Sequence, residues 1–202
     1  SEYSNSFVFD FIKDDTVISQ MDAHISRGVI DRGVATPDHV IRIKPKPLIL
    51  TISIQENRRG SIEKAVKSYI DDYKTYFEIW SRKTKEEKIM LDPVPKIVWV
   101  EGIGLIGIGR SMKEAKTITD IAVQNIVVIT DSEGAGGFYP VKNKDLFEME
   151  YWSLEQAKLS KKPLSKLHGK VTIVTGAGGA IGASIVKLFE SQGAEVIAVD
   201  ID

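Results

Sequence analysis

The sequence predicts an α/β chain in two parts, a longer mixed segment followed by the opening βαβ unit of a parallel sheet. Three observations carry this: apolar residues recur at helical spacing in two long stretches, β-branched runs of strand length lie between them, and a glycine-rich turn joins a strand to a helix near the C-terminus. The 202 residues hold 27 Lys+Arg against 28 Asp+Glu, so a net charge of -1 gives no electrostatic reason for a nucleic-acid or anionic-membrane partner. The absence of Cys excludes a disulfide framework, thiolate metal sites and cysteine nucleophiles, and suits a reducing cytoplasm. No stretch reaches the ~20 apolar residues of a membrane span, and the start, Ser1-Glu-Tyr-Ser-Asn, lacks the basic and apolar regions of a secretory signal. A start without Met and an end at Asp200-Ile-Asp202, just past a strand, point to a piece of a longer protein.

Ser6-Phe-Val-Phe-Asp-Phe-Ile12 alternates like a strand, and Gly28 and Gly33 interrupt any long helix after it. Pro37-Asp-His-Val-Ile-Arg-Ile-Lys44 follows Thr36 as a turn leading into extended chain. Pro45 and Pro47 then precede Leu48-Ile-Leu-Thr-Ile-Ser-Ile54, a β-branched run suited to a buried strand but with one edge denied continuous pairing. Ser61 is placed to cap a helix running to about Arg82, with Ile62, Val66, Tyr69, Ile70, Tyr73, Phe77 and Trp80 on one face as core. The charges after Ser81 read as a solvated turn. Lys96 to Gly109 holds two short apolar runs parted around Gly102 and Gly104, a hairpin or a bulged strand. Ser111 with Glu114 forms a capping box for a helix whose stripe is Met112, Ala115, Ile118, Ile121, Ala122, Ile126 and Ile129. Gly134-Ala-Gly-Gly137 is a loop. Asp145 to Lys161 reads as one connecting helix, ended by Pro163 and a linker. The boundaries are thus 1–144, 145–166 and 167–202.

The last segment has its own pattern. Lys170 to Thr175 is a strand, Gly176-Ala-Gly-Gly-Ala-Ile-Gly182 a turn, Ala183 to Gln192 a helix with Gly193 at its C-cap, and Glu195 to Val199 a second strand. Small residues at Gly176, Gly178 and Gly182 let backbone amides approach a pyrophosphate at the positive end of a helix. Asp200 follows Gly182 at the end of the second strand, where a carboxylate accepts from ribose hydroxyls and repels a 2′-phosphate, so NAD is favoured over NADP. The residues expected against the cofactor are Gly176, Gly178, Gly179, Ala180, Ile181, Gly182 and Asp200.

Thr175-Gly-Ala-Gly-Gly-Ala-Ile-Gly182 resembles the Thr-Gly-x-x-x-Gly-x-Gly motif of the short-chain dehydrogenase/reductase family, with Leu167-His-Gly-Lys-Val171 as its usual lead-in and Ala180 where the central Gly stands. That added methyl is expected to narrow the turn without abolishing binding. Upstream, Pro37-Asp-His39 with Arg42 and Lys44, Tyr69-x-x-x-Tyr73-x-x-Tyr76, Val98-x-Val-x-Gly-x-Gly-x-x-x-x-Gly109 and Tyr151-Trp-Ser-Leu-Glu-Gln-Ala-Lys-Leu159 resemble fused proteins in which a class II aldolase/adducin-type domain precedes a short-chain dehydrogenase, the bifunctional rhamnulose-1-phosphate aldolase type. The resemblance implies the C-terminal part of an aldolase-like α/β domain, a connecting helix and the first βαβ of a Rossmann fold. It implies oxidation or reduction of a sugar-derived aldehyde or alcohol with NAD, cleavage of a ketose phosphate, and a divalent metal, zinc, in the aldolase part.

Two departures bear on activity. The dehydrogenase family works with a Ser, an Asn and a Tyr-x-x-x-Lys pair beyond the second strand, and no Tyr in the dehydrogenase segment has Lys four residues on. The class II aldolases hold their metal with three His, two of them in His-x-His, and a strand-ending His-Gly. Here there is no His-x-His, and Glu101-Gly102 stands at the last position. His39, next to Asp38 and near Arg42 and Lys44, which suit a sugar phosphate, is the metal candidate, with a structural or exposed role as the alternative. Glu101 is either a ligand or a charge bordering a groove; His24 reads as a surface residue and His168 as part of the linker. The chain alone is expected to lack dehydrogenase turnover, to bind NAD weakly and to associate into a homo-oligomer. The rival reading is a non-catalytic, adducin-like interaction domain with a vestigial nucleotide-binding unit.

Overall fold

The computed structural model describes residues 7–51, 58–157 and 165–201. Strand β1 (Val8–Ile12) is followed by α1 (Asp15–Ser26), α2 (Pro37–Ile43), β2 (Leu48–Leu50), α3 (Arg58–Ser81), β3 (Ile97–Val100), β4 (Gly104–Gly109) and α4 (Met112–Gly134). These strands form one mixed sheet in the order β1-β4-β3-β2, antiparallel except for the parallel β2–β3 pair. β3 is buried at all four positions because the sheet is covered on both faces. Ile97 and Trp99 pack with Met21, Ile118 and Ile126 from α1 and α4, whereas Val98 and Val100 pack with Val66 and Tyr69 of α3. The hairpin reading of 96–109 therefore holds. Gly107 serves packing: a Cβ there would lie 2.6 Å from Thr119 Cγ2 and 2.7 Å from the Ala115 carbonyl, so its absence lets α4 lie directly on β4.

Several expectations are corrected. Residues 37–43 are a helix, not extended chain: Thr36 adopts the extended N-cap conformation and Pro37 occupies the first turn, where its missing N–H goes unneeded. Burial of Val40, Ile41 and Ile43 in the core outweighs their β-branching. Helix α3 begins at Arg58, so Ser61 lies inside it, and of its apolar stripe only Tyr73 is fully buried while Ile62 is exposed. The strand after Pro47 is paired over three residues, and Ile52, Ser53 and Ile54 lie outside the described residues. Gly134 is the last residue of α4 rather than loop. The single connecting helix is two, α5 (Asn143–Glu150) and α6 (Ser153–Ala157), parted at Tyr151-Trp152; residues 158–164 lie outside the described ones.

At Ser111 the cap forms, with the Glu114 N–H donating to Oγ at 3.2 Å, but the return arm reaches one residue further, since Glu114 Oε2 accepts from the Arg110 N–H at 2.8 Å. The C-terminal βαβ unit is β5 (Val171–Thr175), α7 (Ala180–Ser191) and β6 (Glu195–Val199), with β5 and β6 parallel. Helix α7 starts at Ala180, three residues before the expected Ala183. Glu195 Oε1 accepts from the Met112 N–H at 2.7 Å, so this unit places a carboxylate at the N-terminus of α4.

Candidate functional site

The glycine-rich turn is built by two backbone requirements. Gly176 has φ of 69°, a left-handed value that glycine adopts without strain. At Gly182 a Cβ would stand 1.9 Å from the Gly176 carbonyl oxygen, so the helix can cross the strand end only without a side chain there. Gly179 has no such need: its φ is −73° as the N-cap of α7, and a Cβ would meet nothing closer than 3.5 Å. Ala180 is the first residue of α7 and is exposed, so its methyl group does not narrow the turn as the motif comparison suggested. Ile181 also points outward, 79% exposed.

No side chain caps α7, and its first amides have no carbonyl one turn back to accept from them. Those donors and the helix dipole face the side on which the turn opens. Asp200, directly after β6, folds back on this turn: its Oδ2 accepts from the Gly178 N–H at 2.7 Å and its Oδ1 from the Ile201 N–H at 2.8 Å. A Cβ on Gly178 would lie 3.1 Å from that Oδ2, tighter than ordinary contact. The residues expected against NAD are therefore brought to one place, and the uncapped amides at the start of α7 suit the oxygens of a dinucleotide pyrophosphate.

The metal candidate is held otherwise. His39, in the first turn of α2, is buried. Its Nδ1 lies 2.6 Å from Thr36 Oγ1 and its Nε2 2.6 Å from Gln124 Oε1, a set met by the Nε2-protonated tautomer. Burial holds the imidazole below its ordinary pKa, the Gln124 bond opposing this only in part. His24, expected at the surface, is buried, with Nε2 2.9 Å from Thr130 Oγ1. Glu101, at the β3–β4 turn, accepts from Thr51 Oγ1 at 2.7 Å. His168 precedes β5 and is half-buried. Among the described residues no three His, Cys, Asp or Glu side chains gather as a metal would need. The donor set among the described residues does not fit the aldolase metal. Lys44, expected to meet a sugar phosphate, is buried beneath α3, its Nζ 3.4 Å from the Tyr73 ring centroid.

That position belongs to a polar cluster which sequence reading missed. Glu150, fully buried, accepts from the Tyr73 hydroxyl at 2.7 Å, and Tyr73 Oη lies 2.8 Å from Tyr151 Oη. One signal was present: Glu150 stands four residues after Leu146 and three after Phe147, on the apolar face of its helix.

Residues 1–159 match the family described as aldolase class II, second domain, and the chain belongs to that family. The uncharacterized oxidoreductase YuxG of Bacillus subtilis (strain 168) is 26% identical over 175 residues, which is 84% of this chain and 25% of that protein. Short-chain dehydrogenase reductase 4 of Arabidopsis thaliana is 40% identical over 68 residues, 31% of this chain and 22% of that protein. Xanthoxin dehydrogenase of the same plant is 45% identical over 47 residues, 23% of this chain and 16% of that protein. No solved structure matches. The chain therefore joins a class II aldolase-family segment with similarity to short-chain dehydrogenases, and it spans at most 25% of the length of these relatives. No helix among the described residues is long and apolar enough to cross a membrane.

Proposed function

We propose that the chain forms part of an NAD-dependent short-chain oxidoreductase whose dehydrogenase unit follows a class II aldolase-type domain of the rhamnulose-1-phosphate aldolase kind, with a sugar-derived aldehyde or alcohol as its substrate. The observation that carries this reading is the meeting of Asp200 with the Gly178 amide beside the uncapped start of α7. The α7 amides receive the pyrophosphate, and Gly182 lets the start of α7 pack against the Gly176 carbonyl so that the turn holds this shape. Asp200 takes the adenosine ribose hydroxyls, exchanging the Gly178 amide for them, and its charge repels the 2′-phosphate of NADP. Bound NAD supplies the nicotinamide that accepts or returns a hydride. Calorimetric titration of the protein at the full length of its relatives tests this: binding of NAD in preference to NADP is expected, and equal affinity for both would remove Asp200 from the ribose site.

For the aldolase-type domain, the engagement of both His39 nitrogens favours a second reading, an adducin-like interaction module that binds no metal. Elemental analysis of the full-length protein after zinc loading decides between them. Stoichiometric zinc lost on His39→Ala would restore the aldolase reading with its ketose phosphate substrate.

A further inference from the structure

Three helices meet at one buried ionisable cluster that neither the nucleotide site nor the aldolase reading uses. Lys44, at the C-cap of α2, is the one described residue other than glycine with positive φ, 66°, a conformation that side chains adopt only where the surroundings impose it. It is 4% exposed, and its Nζ has no hydrogen-bond acceptor, only the face of Tyr73. Glu150, the last residue of α5, is 0% exposed; Oε1 is held by Tyr73 and Oε2 has no donor. Tyr76 of α3 is buried beside the same carboxylate, and its hydroxyl, which completes no hydrogen bond in this geometry, still favours the ionised form of Glu150. Tyr151, which follows Glu150, accepts from the Leu91 N–H at 3.3 Å and stacks on Phe147 with centroids 4.5 Å apart.

Two buried groups of opposite charge, each with incomplete hydrogen bonding, make the doubly charged form expensive in this place. We propose that Lys44, Glu150 and the tyrosines around them form a proton-operated latch, closed on α5 while Glu150 carries a proton and loosened when Glu150 ionises and is drawn toward water. As an acid, Glu150 can keep the Tyr73 bond and carry no charge into the core. As a carboxylate it needs donors for two oxygens, and the last turn of α5 is what can move to provide them. The part released is the break at Tyr151-Trp152 and α6, the segment between the main sheet and the βαβ unit.

The neighbouring charges support a transition near neutral pH. Burial raises Glu150 to about 7, with Lys44 and the Tyr73 and Tyr76 hydroxyls opposing. Burial lowers Lys44 to about 8, opposed by Glu150 and Asp92 and reinforced by Lys96. Tyr69, Tyr73, Tyr76 and Tyr151 are all pushed up, by burial first and by Glu150 second, so none of them ionises in this range. Glu155 of α6, which packs against α2, is the further acid nearby.

Amide hydrogen exchange of residues 143–157, corrected for the intrinsic pH dependence, tests the latch in the whole chain. Protection is expected to fall roughly tenfold between about pH 6 and about pH 8, the change that one unit of proton linkage carries. In Glu150→Gln the fall should vanish, and in Lys44→Met its midpoint should move to higher pH, because Glu150 then ionises without its counter-charge. Equal protection at both pH values in the wild type, or an unchanged fall in Glu150→Gln, overturns the proposal. Should the variants fail to fold, carbon-13 carboxyl NMR of the wild type decides: one Glu must titrate near neutrality, and ionisation of every Glu by about pH 5.5 overturns the latch.

Discussion

At Gly182 the space is already filled by the Gly176 carbonyl, 1.9 Å from where a Cβ would lie. Gly182→Ala should therefore force the turn open, unsettle the start of α7 and remove NAD binding from the full-length protein. Ala180→Gly should change NAD affinity little, since Ala180 sits exposed on ordinary helical backbone. A titration in which the two variants behave alike would contradict this account of the turn. Asp200→Ala should weaken NAD and relax discrimination against NADP, read from the ratio of the two dissociation constants. His39→Ala removes two side-chain bonds and leaves Thr36 and Gln124 unmatched; a loss on the order of 1–3 kcal/mol in chemical denaturation is expected, with zinc content unchanged.

Among the helices, α4 packs against β1, β3 and β4 of the main sheet and its start is capped twice. Ser111 supplies the side-chain cap and Glu195 a carboxylate from the βαβ unit. Ser111→Ala should cost about 1 kcal/mol of stability. Glu195→Gln keeps an acceptor for the Met112 N–H but loses the charge, so it should cost less than Glu195→Ala. For α5, the pH dependence has a definite sign. Glu150 is raised to about 7 in the fold, so between its ordinary carboxylate range and 7 the folded state holds a proton that the unfolded chain gives up, and stability falls as pH rises. Lys44 is lowered to about 8, so above 8 the unfolded chain keeps a proton that the fold has released, and stability climbs again. Their contribution has its minimum between about 7 and 8. His24 and His39, both lowered by burial, act oppositely on the acid side by removing stability as pH falls through the ordinary imidazole range. Subtracting the stability of Glu150→Gln from that of wild type across the pH series isolates the minimum, and a flat difference would show that Glu150 ionises normally.

On the scale of the molecule, the βαβ unit leaves apolar surface in water. Val174 is buried, but Ile173 is 67% and Ile197 49% exposed on a two-stranded sheet whose parallel strands normally have both faces covered. The isolated chain is expected to self-associate through this surface. Sedimentation velocity should show a dimer or larger species that Ile173→Lys with Ile197→Lys returns to a monomer; a monomeric wild type would exclude this route.

The sequence by itself determined what depends on local pattern: the strand β1, the hairpin around Gly102, the capped helix after Ser111, and the strand–turn–helix–strand unit with Asp200 at its end. Spacing and turn chemistry act within a few residues, so they can be read without partners. Only the tertiary structure decided that 37–43 is helical, because burial of Val40, Ile41 and Ile43 outweighs their β-branching, and that the helix expected from Asp145 breaks at Tyr151, where Tyr73 and Glu150 take the chain into the core. It also decided the place of the charged and polar side chains. Lys44 looks like a surface cation beside two prolines, and His39 like a ligand beside an acid. Whether such a group meets water, a metal or Gln124 and Tyr73 depends on what folds over it from 29 to 85 residues away, and no local pattern carries that distance.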